Sequence, residues 1–315
     1  MSLKNFIKSS LIRVFPTLSP QATFSKLLSK FLPGIRCVDV GASYYVHYKW
    51  YIFLKSPSVK WNAVEPNLNG MCYAEDWAWS CTFRHYSVGL SEFGGNRTLY
   101  VTNQDSGSSL LKPKVKRSMA HRLLHINDYF FPLREVEIST ASLLDIVSDS
   151  PVSQPILVKL DTQGTELSIL RGALPLLESA QIVGIELEST LVAEPVMDGS
   201  GKFWEVCEFL EGLGYEVLLI DVISQPGPHA SKKSQLIRVP TRTYANECDA
   251  VFSLRRDKIE SLPINHRMCC LAFYLSYMLV EEALSLLTSD VEMQTRLAFE
   301  GCNVDYLISY MRKLL

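Results

Sequence analysis

The sequence predicts an α/β fold, a mainly parallel sheet with flanking helices, and helical additions at both ends. Three observations carry this reading. Apolar runs of strand length recur between residues 35 and 254,. Stretches with apolar residues at helical spacing separate them, and strands alternating with helices imply right-handed crossovers and parallel pairing. The 315 residues, 47% hydrophobic and 20% charged, suffice for one large α/β domain with extra helices or for two small domains,.

Residues 1–36 contain no Asp or Glu and carry Phe6, Ile7, Leu11, Ile12 and Val14 among basic residues. This reads as one or two basic amphipathic helices, broken near Pro16 and Pro20. Packing as a helical cap is the favoured role; peripheral membrane contact through residues 1–32 is the alternative. Residues 1–34 thus form an N-terminal basic helical segment.

A sheet domain is expected over residues 35–257. Ile35–Val40 is a short apolar strand ended by Gly41,. A helix from about Tyr45 to Leu54 leads to a strand at Val59–Val64, and another helical stretch leads to a third at Thr82–Val88. Gly94-Gly95-Asn96 turns the chain into a hairpin arm at Arg97–Thr102,. Residues 103–133 form a long polar loop with a basic stretch from Lys112 to Arg122, which reads equally as a cover for an acidic or phosphorylated acceptor and as a solvated face,. Then come a strand at Glu135–Thr140, a short helix from Leu143 and an apolar strand at Pro155–Asp161, interrupted only by Lys159. Glu166–Leu177 places Leu167, Leu170, Leu174 and Leu177 at helical spacing,. Gln181–Glu186, Glu216–Asp221 and Asp249–Leu254 complete the strands, with a helix at Phe203–Leu213 between them. Residues 258–315 are predicted to be a wholly helical extension, a candidate dimer contact.

Composition excludes some classes of function. A net charge of −2 provides no global basic field, so a nucleic-acid partner is not expected,. The eight cysteines form no CxxC and no zinc-finger spacing with histidine,. They read as reduced thiols, which with the absence of a signal-like N-terminus implies a cytoplasmic protein. The apolar run Cys269–Val280 is shorter than the roughly 20 residues a membrane span needs, so no transmembrane segment is expected,.

In parallel sheets ligands bind beyond the carboxyl ends of the strands. Four clusters stand there. Asp39 and Gly41 end the first strand, and the single glycine lacks the G-x-G-x-x-G pattern that a dinucleotide pyrophosphate needs,. Glu65 ends the second strand about 25 residues after Gly41, near the spacing at which an acid accepts from vicinal ribose hydroxyls,. Lys159-Leu160-Asp161-Thr162-Gln163-Gly164-Thr165-Glu166 puts an acid at a buried strand end before a glycine turn,. Glu186 and Glu188 share one face of the next strand if it continues,. With Asp161 they offer oxygen ligands, but no metal is expected because no DxD-like spacing supports one.

These clusters resemble the FkbM-type methyltransferases over about residues 35–255. The matching residues are Val38-Asp39-Val40-Gly41-Ala42, Val64-Glu65-Pro66-Asn67 and, most specific, the block from Lys159 through Glu166 to Leu170, Gly172 and Ala173. Weaker matches lie at Ser87–Ser91, Ser142–Asp145, Gly184–Glu186 and Asp249–Phe252. Tyr45 stands where the family usually has a second glycine. The resemblance implies a class I, Rossmann-like fold, S-adenosyl-L-methionine as cofactor, and O-methylation of a small molecule or sugar hydroxyl. It implies a cofactor site of Asp39, Gly41, Ala42, Ser43, Glu65, Pro66, Asn67, Ser87, Val88, Asp161 and Gln163. Glu166, Glu186 and Glu188 are the expected acceptor-binding residues. Asp161 is the expected base that takes the acceptor proton, with His85, His121 and His125 as the titrating alternatives. The competing class is a methyltransferase-like scaffold that binds without catalysing.

Overall fold

The computed structural model describes residues 19–43, 46, 48–67, 80–114, 129–193, 195–225 and 244–315. Among them, seven strands form a central sheet in the order β3-β2-β1-β7-β8-β10-β9. The strands are β1 Ile35–Val40, β2 Val59–Val64, β3 Thr82–Tyr86, β7 Ile156–Leu160, β8 Ile182–Thr190, β9 Tyr215–Gln225 and β10 Tyr244–Leu254. The first five in spatial order run parallel, and β10 is antiparallel to both β8 and β9. Chain order reverses direction between β1 and β7, and the crevice beyond the strand ends there is the usual place for a ligand.

β1 is buried at every position and β7 at all but Lys159. Strands covered by helices on both faces must be apolar throughout, which is why they read as continuous runs. A second sheet, β4-β6-β5, stands beside the first. It comprises β4 Gly89–Leu90, β5 Gly95–Thr102 and β6 Pro132–Ala141, with β5 and β6 antiparallel. The expected arm at 97–102 is therefore one strand of this hairpin.

Helices α1 Pro20–Leu28, α2 Tyr51–Leu54, α3 Leu143–Ile146, α4 Glu166–Gly172, α5 Leu174–Glu178 and α6 Phe203–Gly212 flank the strands. The helix expected over Glu166–Leu177 is two: it breaks at Ala173, because Pro175 has no N–H to continue the ladder and fits the first turn of a new helix,. β8 runs four residues beyond its expected end at Glu186, as its pairing with β10 continues from Ser253↔Gly184 to Glu247↔Thr190.

Helices α7 Arg256–Glu260, α8 Ile264–Ser276, α9 Val280–Ser289, α10 Val291–Phe299 and α11 Val304–Leu314 form the C-terminal part. α8 is buried almost all round, as a helix sandwiched between a sheet and other helices must be,. Arg267 ties it to Asp290 and Glu292. One continuous apolar cluster joins Phe24 and Leu28 of α1, the central strands, and Phe273, Leu286 and Met311 of the C-terminal helices. The two terminal segments therefore share the sheet's core. Residues 1–18 of the expected basic segment lie outside the described residues. The described cysteines are all free, and no described helix is long and apolar enough to cross a membrane.

Candidate functional site

The tips of β1 and β7 touch. Asp161 N donates to Val40 O at 3.1 Å, and Gly41 N donates to Val64 O at 3.0 Å. Gly41 has φ +74°, and a β-carbon on it would lie 1.9 Å from the Asp161 carbonyl oxygen. Only glycine satisfies both constraints.

Beyond these tips opens a cavity of about 690 Å³, within the usual range for small-molecule sites. Its walls differ in chemistry. On one side Val88, Leu90, Leu99, Val101, Val136 and Ile138 present an apolar surface built largely by the small sheet. On the other, carboxylates project from the central strands: Glu65, Asp161, Glu186, Glu188, Glu247 and Asp249.

Glu65 begins where β2 ends, and its Oε1 accepts from Asn67 N at 2.8 Å. Burial raises its carboxyl to about 7, partly offset by that N–H and reinforced by nearby Asp39, Asp105 and Asp161,. Asp249 is likewise raised to about 6, by burial and then by Glu186 and Asp161.

Lys159 is a largely buried cation at the cavity wall. Its Nζ lies 3.3 Å from Asp39 Oδ1 and 3.7 Å from Asp161 Oδ2. Burial opposes the charge on Lys159, but Asp39, Asp161 and Glu186 outweigh it and hold the ammonium firmly protonated. The Asp161 side chain is 41% exposed and lines the cavity. Burial pushes its carboxyl up, and Lys159 with the bonds from its neighbours brings it below the ordinary range. Glu188 moves oppositely, raised by burial and then by Asp161. Gln163 bridges the two, its Nε2 donating to Asp161 Oδ1 at 3.1 Å and to Glu188 Oε2 at 2.7 Å. Gln163 holds φ +59° to do so, a left-handed conformation uncommon outside glycine,.

The structure brings Gly41, Ser43, Glu65, Pro66, Asn67 and Val88 to the cavity wall, together with Asp161, Gln163, Glu186 and Glu188. Four expected residues are elsewhere. Asp39 is buried beneath the wall against Lys159. Ala42 is buried in the core, since its N–H bonds back to Val64 O. Ser87 is exposed and does not line the cavity. Glu166 is turned inward: its Oε1 accepts from Thr162 N at 2.8 Å, Thr162 Oγ1 at 2.9 Å and Gly164 N at 3.1 Å, closing the turn that carries Asp161. Of the titrating alternatives, His85 is exposed on β3 away from the cavity, and burial pulls it below the ordinary imidazole value. His121, His125 and Tyr45 lie outside the described residues, as does the basic stretch from residue 115 onward.

Sequence reasoning missed Lys49, Lys159, Tyr129, Glu247 and Asp249 as cavity residues. Lys159 had a signal, a lone cation in a buried strand that needs a partner. The others are brought in by strand pairing and loop packing, which no local pattern shows. Among the described residues no group of three His, Cys, Asp or Glu is placed to hold a metal ion.

A family model described as the methyltransferase FkbM domain matches residues 39–217, more than half the chain. The chain belongs to the FkbM methyltransferase family. Its sheet order and antiparallel β10 form a class I, Rossmann-like methyltransferase fold with helices added at the C-terminus. No curated protein matches the chain. Among solved structures it is similar to a precorrin-6y C5,15-methyltransferase from Geobacter metallireducens GS-15, at 12% identity and TM-score 0.31, covering 75% of this chain and 88% of that one. A SAM-dependent methyltransferase from Anabaena variabilis ATCC 29413 is similar at 12% identity and TM-score 0.28, covering 78% and 83%. The FkbM match spans Asp39, Gly41, Glu65, Asp161, Glu186 and Glu188, and ends before β10 and the C-terminal helices.

Proposed function

We propose that this FkbM chain is an S-adenosylmethionine-dependent O-methyltransferase acting on a hydroxyl of a small molecule or of a sugar or glycan precursor. One observation carries the reading: Gly41, Glu65 and Asp161, from three neighbouring parallel strands, line a single cavity large enough for a nucleoside cofactor and an acceptor. The residues fit that cofactor. Glu65 is a carboxylate of the kind that accepts from two vicinal ribose hydroxyls. Val88 and Leu90 offer an apolar surface for the purine faces. Carboxylates and the lysines Lys49 and Lys159 line the same cavity as Gly41, as a zwitterionic amino-acid end requires.

The bound cofactor supplies a methyl group on a positively charged sulfur, open to in-line displacement. The protein's task would be to hold the acceptor hydroxyl against that methyl group, so that positioning supplies much of the rate. Asp161, kept ionised by Lys159 and aimed into the cavity, takes the acceptor proton,. Lys159 and Gln163 fix the carboxylate's orientation. Glu186 and Glu188 line the acceptor side.

Titration calorimetry with S-adenosylmethionine and with its demethylated product tests the reading. Both bind if it is right. Binding of neither rejects the enzyme and leaves a methyltransferase-like scaffold.

A further inference from the structure

Asp161 and Glu188 stand at matching places on neighbouring strands. The parallel register of β7 and β8 sets Lys159 against Glu186 and Leu160 against Leu187, so the next residue along each chain is one of these acids. Their carboxyl groups hydrogen-bond to each other, and Gln163 Nε2 holds one oxygen of each, at 3.1 Å and 2.7 Å. A hydrogen bond between two carboxyl groups needs a proton, so the pair carries one proton and one negative charge.

The surroundings decide which member keeps that proton. Lys159 Nζ lies 3.7 Å from Asp161 Oδ2 and favours the charge there. Glu188 meets acids instead: Asp249 faces it across the β8–β10 pairing, and Glu247 and Glu166 act on it from β10 and α4. Tyr129 lies near both members and stays a neutral phenol. Of the other described cations that line the cavity, Lys49 bonds Glu186 and Arg134 stands on β6 of the facing sheet. Asp161 and Glu188 both line the cavity. The reaction proposed above changes the charge in that cavity by one unit, from a sulfonium to a neutral thioether. A positive charge within about 4–6 Å lowers a carboxyl's proton affinity by about tenfold to a thousandfold.

We propose that Asp161 and Glu188 act as one proton-holding pair that reads the charge of the bound cofactor. Beside a sulfonium the pair gives up its proton through Glu188, leaving two carboxylates in the cavity. During transfer the C–S bond breaks, the O–CH3 bond forms, and the proton lost by the acceptor hydroxyl passes to Asp161. The pair then holds a single proton again beside a neutral product. The one proton that the overall reaction sets free is therefore released when the cofactor binds. The inference rests on the cofactor reading above and gives Glu188 its part in it.

Calorimetry of the full chain, in two buffers of different ionisation enthalpy, counts the protons released as S-adenosylmethionine and, separately, its neutral demethylated product bind. Both ligands bring the same ribose, so the titration of Glu65 cancels from the difference. Scanned from about pH 6.5 to about pH 8.5, wild type releases at most about half a proton more with S-adenosylmethionine than with the product. The affinity ratio of the two rises about threefold or more over that span, because binding that expels a proton tightens as pH rises. Glu188→Gln holds no titrating proton, so it removes the excess release and flattens the ratio. A merely structural Glu188 would lower the melting temperature and leave the proton count alone. Infrared difference spectra of wild type give a second reading should the variant fail to fold. The band of a protonated carboxyl is lost on adding S-adenosylmethionine and kept with the product. Equal proton counts for the two ligands, or a carboxyl band that both leave in place, overturn the inference and leave the cofactor reading standing. An excess that persists in Glu188→Gln overturns the role of Glu188. Binding of neither ligand defeats the cofactor reading and this inference with it.

Discussion

Gly41 and Asp161 are held so close that the carbonyl oxygen of Asp161 occupies the space a side chain on Gly41 would enter, 1.9 Å from a β-carbon placed there. The contact joins the first strand's turn to the residue proposed as base. Gly41→Ala must both hold φ near +74° and push the β7 tip away. The expected cost is at least about 2 kcal/mol, since left-handed backbone alone costs about 1–2. Urea unfolding reads it. An unchanged midpoint would show that the two tips separate freely.

Glu166 is predicted to act through the turn and not on the acceptor. Its single oxygen Oε1 gathers three donors from Thr162 and Gly164. Glu166→Gln keeps a carbonyl acceptor there and removes a buried charge whose cost already raises the carboxyl. Stability should change by less than about 1 kcal/mol, with the acceptor KM unaltered. Glu166→Ala leaves the partly buried N–H groups of Thr162 and Gly164 without their acceptor and should lose about 1–3 kcal/mol along with most turnover,. A KM that rises in the glutamine variant alone would return Glu166 to the acceptor site.

What could be read from the chain and what could not divide along contact range. Gly41 after an apolar run, Glu65 after the next and Asp161 before a glycine turn are local patterns, because a parallel sheet presents its ligand site at successive strand ends. Pro175 also carried its message locally, though the helical spacing of the leucines masked it. The apolar wall was not legible: Leu99 and Val136 face one cavity only because β5 and β6 pair in register, Leu99 against Val136. Asp249 reaches the acidic wall because antiparallel β10 sets it opposite Glu188. Nothing within a few residues of Tyr277 announces that its hydroxyl donates to Glu186 of β8.

Cofactor affinity should depend on pH through Glu65. Its carboxyl titrates at about 7 in the folded protein because burial disfavours the charge. Two ribose hydroxyls are best accepted by the ionised form, so affinity should rise by roughly tenfold between about pH 6 and about pH 8. The sign for stability is opposite. A carboxyl raised above its unfolded value stabilises the fold while protonated, and that contribution is lost as pH climbs from about 4.5 through about 7. Glu65→Gln should therefore weaken and flatten the binding curve, yet raise the melting temperature of the ligand-free protein by a few degrees at about pH 8. Calorimetry and thermal melts at several pH values check both arms. A binding curve as steep in the variant as in wild type would move the titration to another group.

Asp161→Asn separates chemistry from binding. Asparagine keeps the shape of the side chain and can still face Gln163, but it cannot hold a proton taken from an alcohol. Turnover should fall by about 10²–10⁴, the usual contribution of a positioned base, while the cofactor dissociation constant moves by about threefold or less. Glu188 does not substitute in this variant at low pH, because burial and the neighbouring Asp161 keep it protonated in wild type. Removing the charge of Asp161 lets Glu188 ionise more readily, so residual turnover in Asp161→Asn should climb with pH. Glu188→Gln in the same background should abolish that climb. Single-turnover methyl transfer to the acceptor, followed across pH, distinguishes the cases, and full turnover in Asp161→Asn at any pH would remove Asp161 from the role of base.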